Sequence, residues 1–125
     1  MRVLLVEDET LLSRQLAASL RQAGYAVDCA DDGERADFLG QTEPYDAVIL
    51  DAPPTGRITR FLNVNTEVAG LAKVGPIKSH ADRVMALIKS PRTAVHIVSV
   101  LEEMPVQETV DGVAELTSAG IPVGA

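Results

Sequence analysis

The sequence predicts a three-layer α/β fold in which helices cover a doubly wound, parallel, five-stranded sheet. Short aliphatic runs alternate with stretches of helical periodicity, and the joints between the first five elements are short. Aromatic residues are only 3% of a chain that is 46% hydrophobic. Val, Leu, Ile and Ala must therefore fill the core, as they do in parallel sheets buried on both faces.

The elements follow in order. Val3–Val6 reads as the first strand. Thr10 is placed to cap a helix over Leu11–Ala23, whose Leu12, Leu16, Leu20 and Ala23 recur on one face. Gly24 suits the left-handed stop after it. Ala26–Cys29 reads as the second strand, Asp31-Asp32-Gly33 as a turn and Glu34–Leu39 as a short helix. Tyr45–Leu50 reads as a buried third strand that ends at Asp51. Beyond it the spacing predicts a short helix over Gly56–Leu62, then a loop with helical turns over Asn63–Pro76, punctuated by Gly70 and Gly75-Pro76. A clearer helix runs over Ile77–Lys89, with Ile77, Ala81, Val84, Met85 and Ile88 on one face and Pro91 as its stop. Thr93–Leu101 reads as a fourth strand. Pro105 suits the first turn of a helix reaching Ala119, Gly120 ends it, and Ile121-Pro122-Val123 begins a short fifth strand.

Charge divides the chain at Asp51. Residues 1–51 hold 4 Lys/Arg against 11 Asp/Glu, whereas residues 52–125 hold 7 of each, so the whole net charge of −7 lies in the first part. The length fits one domain, residues 1–125, built from a 1–51 half and a 52–125 half. An acidic chain is a poor nonspecific nucleic-acid binder, so no nucleic-acid partner is expected. No apolar run approaches the ~20 residues that span a bilayer, and the opening apolar stretch is too short for a secretory signal. A cytoplasmic protein without a membrane partner is expected. Cys29 is the single cysteine, and in an apolar run it reads as a small core side chain.

In a parallel sheet, ligands gather beyond the carboxyl ends of the strands. Glu7 and Asp8 end the first strand and Asp51 ends the third. Neighbouring strands would bring these carboxylates together, and such hard oxygen ligands suit Mg²⁺. A carboxylate beside a cation stays ionised and can attack phosphorus. His80 and His96 stand without a Cys or His at metal-ligand spacing. Lys73, Lys78, Arg83, Lys89 and Arg92 read as a solvated basic face.

Residues 1–51 resemble the first half of a response-regulator receiver domain, through Val3-Leu4-Leu5-Val6-Glu7-Asp8-Glu9, Ala23-Gly24-Tyr25-Ala26-Val27, Ala30-Asp31-Asp32-Gly33 and Tyr45-Asp46-Ala47-Val48-Ile49-Leu50-Asp51. The resemblance implies a flavodoxin-like fold, Mg²⁺ held with the help of Glu7 and Asp8, and Asp51 as phosphoacceptor with a histidine kinase as partner. It also implies a Thr/Ser ending strand four and a Lys-Pro ending strand five. Ser99 is the weak counterpart of the first, and no lysine stands near Ile121–Ala125.

Residues 46–125 resemble a segment of the arsenite-transport and tail-anchored-protein-targeting ATPases. The likeness rests on Val48-Ile49-Leu50-Asp51-Ala52-Pro53-Pro54-Thr55-Gly56-Arg57, on Leu101 to Thr109 and on Gly120-Ile121-Pro122-Val123-Gly124. Hydrolysis in that class needs a Gly-x-x-x-x-Gly-Lys-Ser/Thr phosphate loop. Gly75-Pro76-Ile77-Lys78-Ser79 is the nearest approach, and it reads as a helix start. No bound nucleotide and no enzymatic activity are expected.

The two families disagree on strand order. Receivers use 2-1-3-4-5, which is the order expected here; the P-loop-like alternative is 2-3-1-4-5. The reading is thus a chimeric, engineered α/β protein without a complete active site, retaining an acidic Mg²⁺-binding cluster of Glu7, Asp8 and Asp51. Its alternatives are a divergent receiver phosphorylated on Asp51 and an inactive fragment of a P-loop ATPase. A sheet edge left uncovered by the short fifth strand is expected to favour a homodimer.

Overall fold

The computed structural model describes residues 1–71 and 75–124, with 65–71 as backbone only. The elements are β1 (Arg2–Val6), α1 (Thr10–Gln22), β2 (Ala26–Ala30), α2 (Gly33–Thr42), β3 (Ala47–Leu50), α3 (Thr55–Leu71), α4 (Pro76–Ile88) and α5 (Glu103–Ser118). They fall into two compact units, Met1–Ala52 and Pro53–Ala125.

The first unit is a parallel sheet in the order β2-β1-β3. β1 is its central strand. Val3 lies opposite Val27 and Ala47, and Leu5 opposite Cys29 and Ile49. Val3, Leu4 and Leu5 are almost wholly buried, because β1 alone has a strand on either side. Leu5, Ala17 and Val27 form the core against which Leu20, Tyr25 and Cys29 pack. Cys29 thus packs as the expected core side chain.

Local chemistry explains the helix ends. Glu9, rather than Thr10, caps α1: its carboxylate accepts from the N–H groups of Leu11 (2.9 Å) and Leu12 (2.7 Å). At the other end Gly24 takes φ 92°. Its N–H donates to Arg21 and that of Tyr25 to Leu20, and this paired arrangement satisfies the last carbonyls. The same device ends α5. Gly120 has φ 71°, and the Ile121 N–H donates to Leu116, placing two buried side chains in register. Asp32 caps α2 through the Arg35 N–H at 2.7 Å.

Three expectations are corrected in the first unit, and one alternative is set aside. The buried face of α1 carries Ser13 and Ala17, while Leu12 and Leu16 lie on its exposed side. The larger leucines sit one helical step away from the sheet, where small residues allow close approach. β3 is not buried: Val48, Ile49 and Leu50 are exposed, since β3 is an edge strand. The order of these three strands is the expected 2-1-3 and not the alternative 2-3-1, because β1 and not β3 pairs with β2. Finally, the sheet has three strands among the described residues, not five.

The second unit explains that last difference. Thr93–Leu101 and Ile121–Val123 meet only at one parallel bridge, Val95 with Val123. The Val95 N–H donates to Pro122, and that of Gly124 donates to Val95. Pro122 has no N–H to extend the ladder. Val98 and Leu101 are 95% and 96% exposed, so β-propensity without a partner leaves this run unpaired. α3 runs on through Leu71, so the expected loop is helical there, and Lys73 lies outside the described residues. In α4, Ala81 and Met85 are buried as expected, whereas Ile77 is exposed. Ile58, Ala81, Met85, Leu116 and Ile121 supply the buried apolar residues of this unit.

Gly112 of α5 is a contact point. A methyl group there would lie 3.1 Å from Thr55 Cγ2 and 3.2 Å from Thr55 Cβ. Gly112→Val should therefore destabilise the second unit by about 1–3 kcal/mol through overpacking. Leu5→Ala should destabilise the first by about 2–5 kcal/mol through loss of core volume. Urea unfolding of both variants measures these costs.

Candidate functional site

The carboxyl ends of β1 and β3 bring the acidic residues together. The Asp51 N–H donates to Val6 at 3.0 Å, carrying the β1–β3 pairing one residue past β3. The Glu7 N–H donates to Ala30 at 3.0 Å, which extends the β1–β2 pairing in the same way. Strand pairing sets the positions of both residues at this end of the sheet.

Glu7 is 3% exposed, an unusual place for a carboxylate. Its Oε1 accepts the Glu9 N–H at 2.8 Å, and its Oε2 is buried with no hydrogen-bond partner. That N–H favours the ionised form and lowers the pKa. Burial, with the charges of Asp51 and Asp8, outweighs it and leaves the Glu7 carboxyl above its ordinary value. Asp8 and Asp51 are both exposed.

Among the described residues, no group of three or more His, Cys, Asp or Glu is arranged to hold a metal ion. The carboxylates of Glu7, Asp8 and Asp51 act on one another at this end of the sheet, without a three-carboxylate cage among the described residues. Exposed Asp8 and Asp51 face water, and mutual repulsion opposes tighter convergence. A two-carboxylate arrangement is still chemically suited to Mg²⁺, which usually keeps several waters. The orphaned Oε2 of Glu7 is the observation in favour of a cation there.

The amino ends of the strands carry a second cluster that sequence reasoning missed. Arg2 donates through Nε to Asp28 Oδ2 at 2.9 Å and through Nη1 to Glu43 Oε2 at 2.6 Å. The Tyr45 hydroxyl donates to the same Asp28 oxygen at 3.0 Å, and the Arg2 guanidinium lies 5.1 Å from the Tyr45 ring centre. Arg2, followed by Tyr45, holds the Asp28 carboxyl below its ordinary pKa. Spacing gives no hint of this group, since its members are brought together only by parallel register.

The remaining candidates lie apart. His80 and His96 are exposed; the His96 ring lies against Gly124 instead of another metal ligand. Ser99 is exposed and its hydroxyl contacts the Val100 carbonyl. Gly75 precedes α4 with Pro76 in the first helical turn, matching the reading of a helix start. Among the described residues, no helix is long and apolar enough to cross a membrane.

Comparison with known proteins finds two kinds of relative. The chain is 49% identical over 80 residues to the ATPase BagA of Mycobacterium tuberculosis, covering 64% of this chain and 24% of that protein. It is 34% identical over 95 residues to the transcriptional regulatory protein TctD of Salmonella typhimurium, covering 76% of this chain and 38% of that protein. A solved structure of the response regulator protein TrrA from Thermotoga maritima, in complex with Mg²⁺-BeF, is 35% identical, covering 58% of this chain and 61% of that one at a TM-score of 0.42. No family model matches. The chain thus spans between a quarter and two-fifths of the length of these curated relatives. Similarity to response-regulator receivers and to an ATPase is present; neither likeness speaks of engineering.

Two pH effects of opposite sign follow from the carboxylates. A carboxyl raised on folding stabilises the fold below its unfolded pKa, roughly 4.3, and that contribution is lost as pH rises through the folded value. Glu7→Gln should therefore stabilise the protein at pH 7 by about 1 kcal/mol, because it removes a buried charge that Asp8 and Asp51 repel, with the gain vanishing in acid. A lowered carboxyl does the reverse: its contribution is present above roughly pH 3.9 and is lost as pH falls through the folded value. Asp28→Asn should cost under about 1 kcal/mol at pH 7, since the pair is partly exposed, and nothing in strong acid. Thermal melts from acid to neutral pH distinguish the two.

Proposed function

We propose that the first unit is a receiver-type phosphoryl acceptor in which Asp51 is the nucleophile. The observation that carries this reading is the placement of Asp51 beside the buried, half-unpartnered Glu7 at the carboxyl end of the sheet. An Oδ atom of Asp51 attacks phosphorus, and the bond from phosphorus to its donor breaks with the electron pair leaving on the donor. The product is an aspartyl phosphate. Glu7 and Asp51 are the residues that would hold Mg²⁺, whose charge would offset that of the incoming phosphoryl group. The donor chemistry implied is a phosphohistidine of a histidine kinase, and the similarity to the transcriptional regulatory protein TctD supports it.

A second reading is favoured by the position of the boundary between the units. It falls after Ala52, beside the change of charge and composition that the sequence shows at Asp51. On this reading the chain joins two partial proteins, has no complete active site and is not an enzyme. The absence of a phosphate loop from the sequence means that the ATPase-like segment is proposed to bind no nucleotide.

Acetyl phosphate with Mg²⁺ separates the readings. The receiver reading expects incorporation of one alkali- and hydroxylamine-labile phosphoryl group, seen by mass spectrometry and abolished by Asp51→Asn. No incorporation in a folded protein favours the joined-fragment reading. Heat of binding to ATP with Mg²⁺ in calorimetry would overturn the nucleotide proposal.

A further inference from the structure

The two edges of the sheet are treated differently. In β2, the Ala26 N–H donates to Met1 and the Ala30 carbonyl accepts from Glu7. Alternate backbone groups of a strand point to opposite sides. The groups of Val27 and Cys29 therefore point away from β1, along the open edge. Both of their carbonyls are occupied. Arg21 Nη2, from α1, donates to the Val27 carbonyl at 2.7 Å. Arg35 Nε, from α2, donates to the Cys29 carbonyl at 3.2 Å. Among the described residues, no side chain makes a comparable bond to the backbone of β3, whose Val48, Ile49 and Leu50 are exposed.

We infer that Arg21 and Arg35 are edge guards that close β2 to strand addition. An unpaired edge offers a row of acceptors to any extended chain, including a second copy of this one. Here the two outward carbonyls are already taken by guanidinium groups from two separate helices. An approaching copy would also bring its own arginines, so the edges repel as well as lacking free acceptors. Both guards can form because each helix is adjacent to β2 in sequence: α1 leads into it and α2 leads out of it. Each arginine lies six residues from the carbonyl that it reaches, one before and one after. The guards belong to the fold itself and are independent of Asp51 phosphorylation.

The test removes both guards from the full chain. R21A/R35A should self-associate about tenfold more tightly than the parent by light scattering over a concentration series. Hydrogen exchange at high concentration should show new protection at the Val27 and Cys29 amides. R35A alone removes a solvent-exposed bond and keeps the α1 contact, so it preserves the fold; it should show the same protection at Cys29 to a smaller degree. Unchanged mass and exchange in R35A and the double variant would overturn the inference. New protection confined to residues 47–50 would overturn it too, because association would then use the other edge.

Discussion

Everything in the first unit depends on the pairing of β1 with both of its neighbours. Val3, Leu4 and Leu5 are buried because this strand is flanked on both sides, and no other strand of the sheet is. The same pairing carries Glu7 and Asp51 past the carboxyl ends and gathers Arg2, Asp28 and Tyr45 at the amino ends. Core and both polar clusters are thus consequences of one register. A one-residue slip would turn Leu4 to the other face. It would also separate Arg2 from its partners.

Electrostatics sets the margin within which this small unit works. A unit of this size buries only about 60% of the surface its unfolded chain exposes. All of the net negative charge lies within its sequence. Arg2 offsets part of it by engaging two carboxylates, while Glu7 is left with a buried oxygen that nothing neutralises. A phosphoryl group would add a further ~2 negative charges. On physical grounds a cation at Glu7 and Asp51 and a phosphoryl group on Asp51 therefore belong together. These carboxylates would attract the cation, whereas without it they would repel the phosphoryl group.

The second unit shows how far apolar pattern can mislead. Thr93–Leu101 has the composition of a strand, yet only Val95 is paired. A strand exists through its neighbour's hydrogen bonds, and propensity records no more than fitness for a pleated surface. Pro122 on the opposing run removes one of the donors that would have lengthened the ladder. Helix positions were far more legible, because periodicity and the stops at Gly24 and Gly120 are local properties of the chain. The face of α1 was less so. Leucines mark hydrophobicity, but Ser13 and Ala17 permit the closer contact with the sheet.

From sequence alone came the parallel α/β character of the first unit, the helix stops, the acidic strand ends and the change of composition at Asp51. These rest on local period, turn chemistry and charge, which each short segment carries within itself. Tertiary structure decided that β1 is central, that β3 is an exposed edge, and that Glu7 is buried while Asp8 is not. It also joined Arg2 to Asp28 and set Arg21 and Arg35 over the edge of β2. Those outcomes depend on which strand lies beside which. That choice is made by contacts between residues far apart in the chain, and no local pattern encodes it.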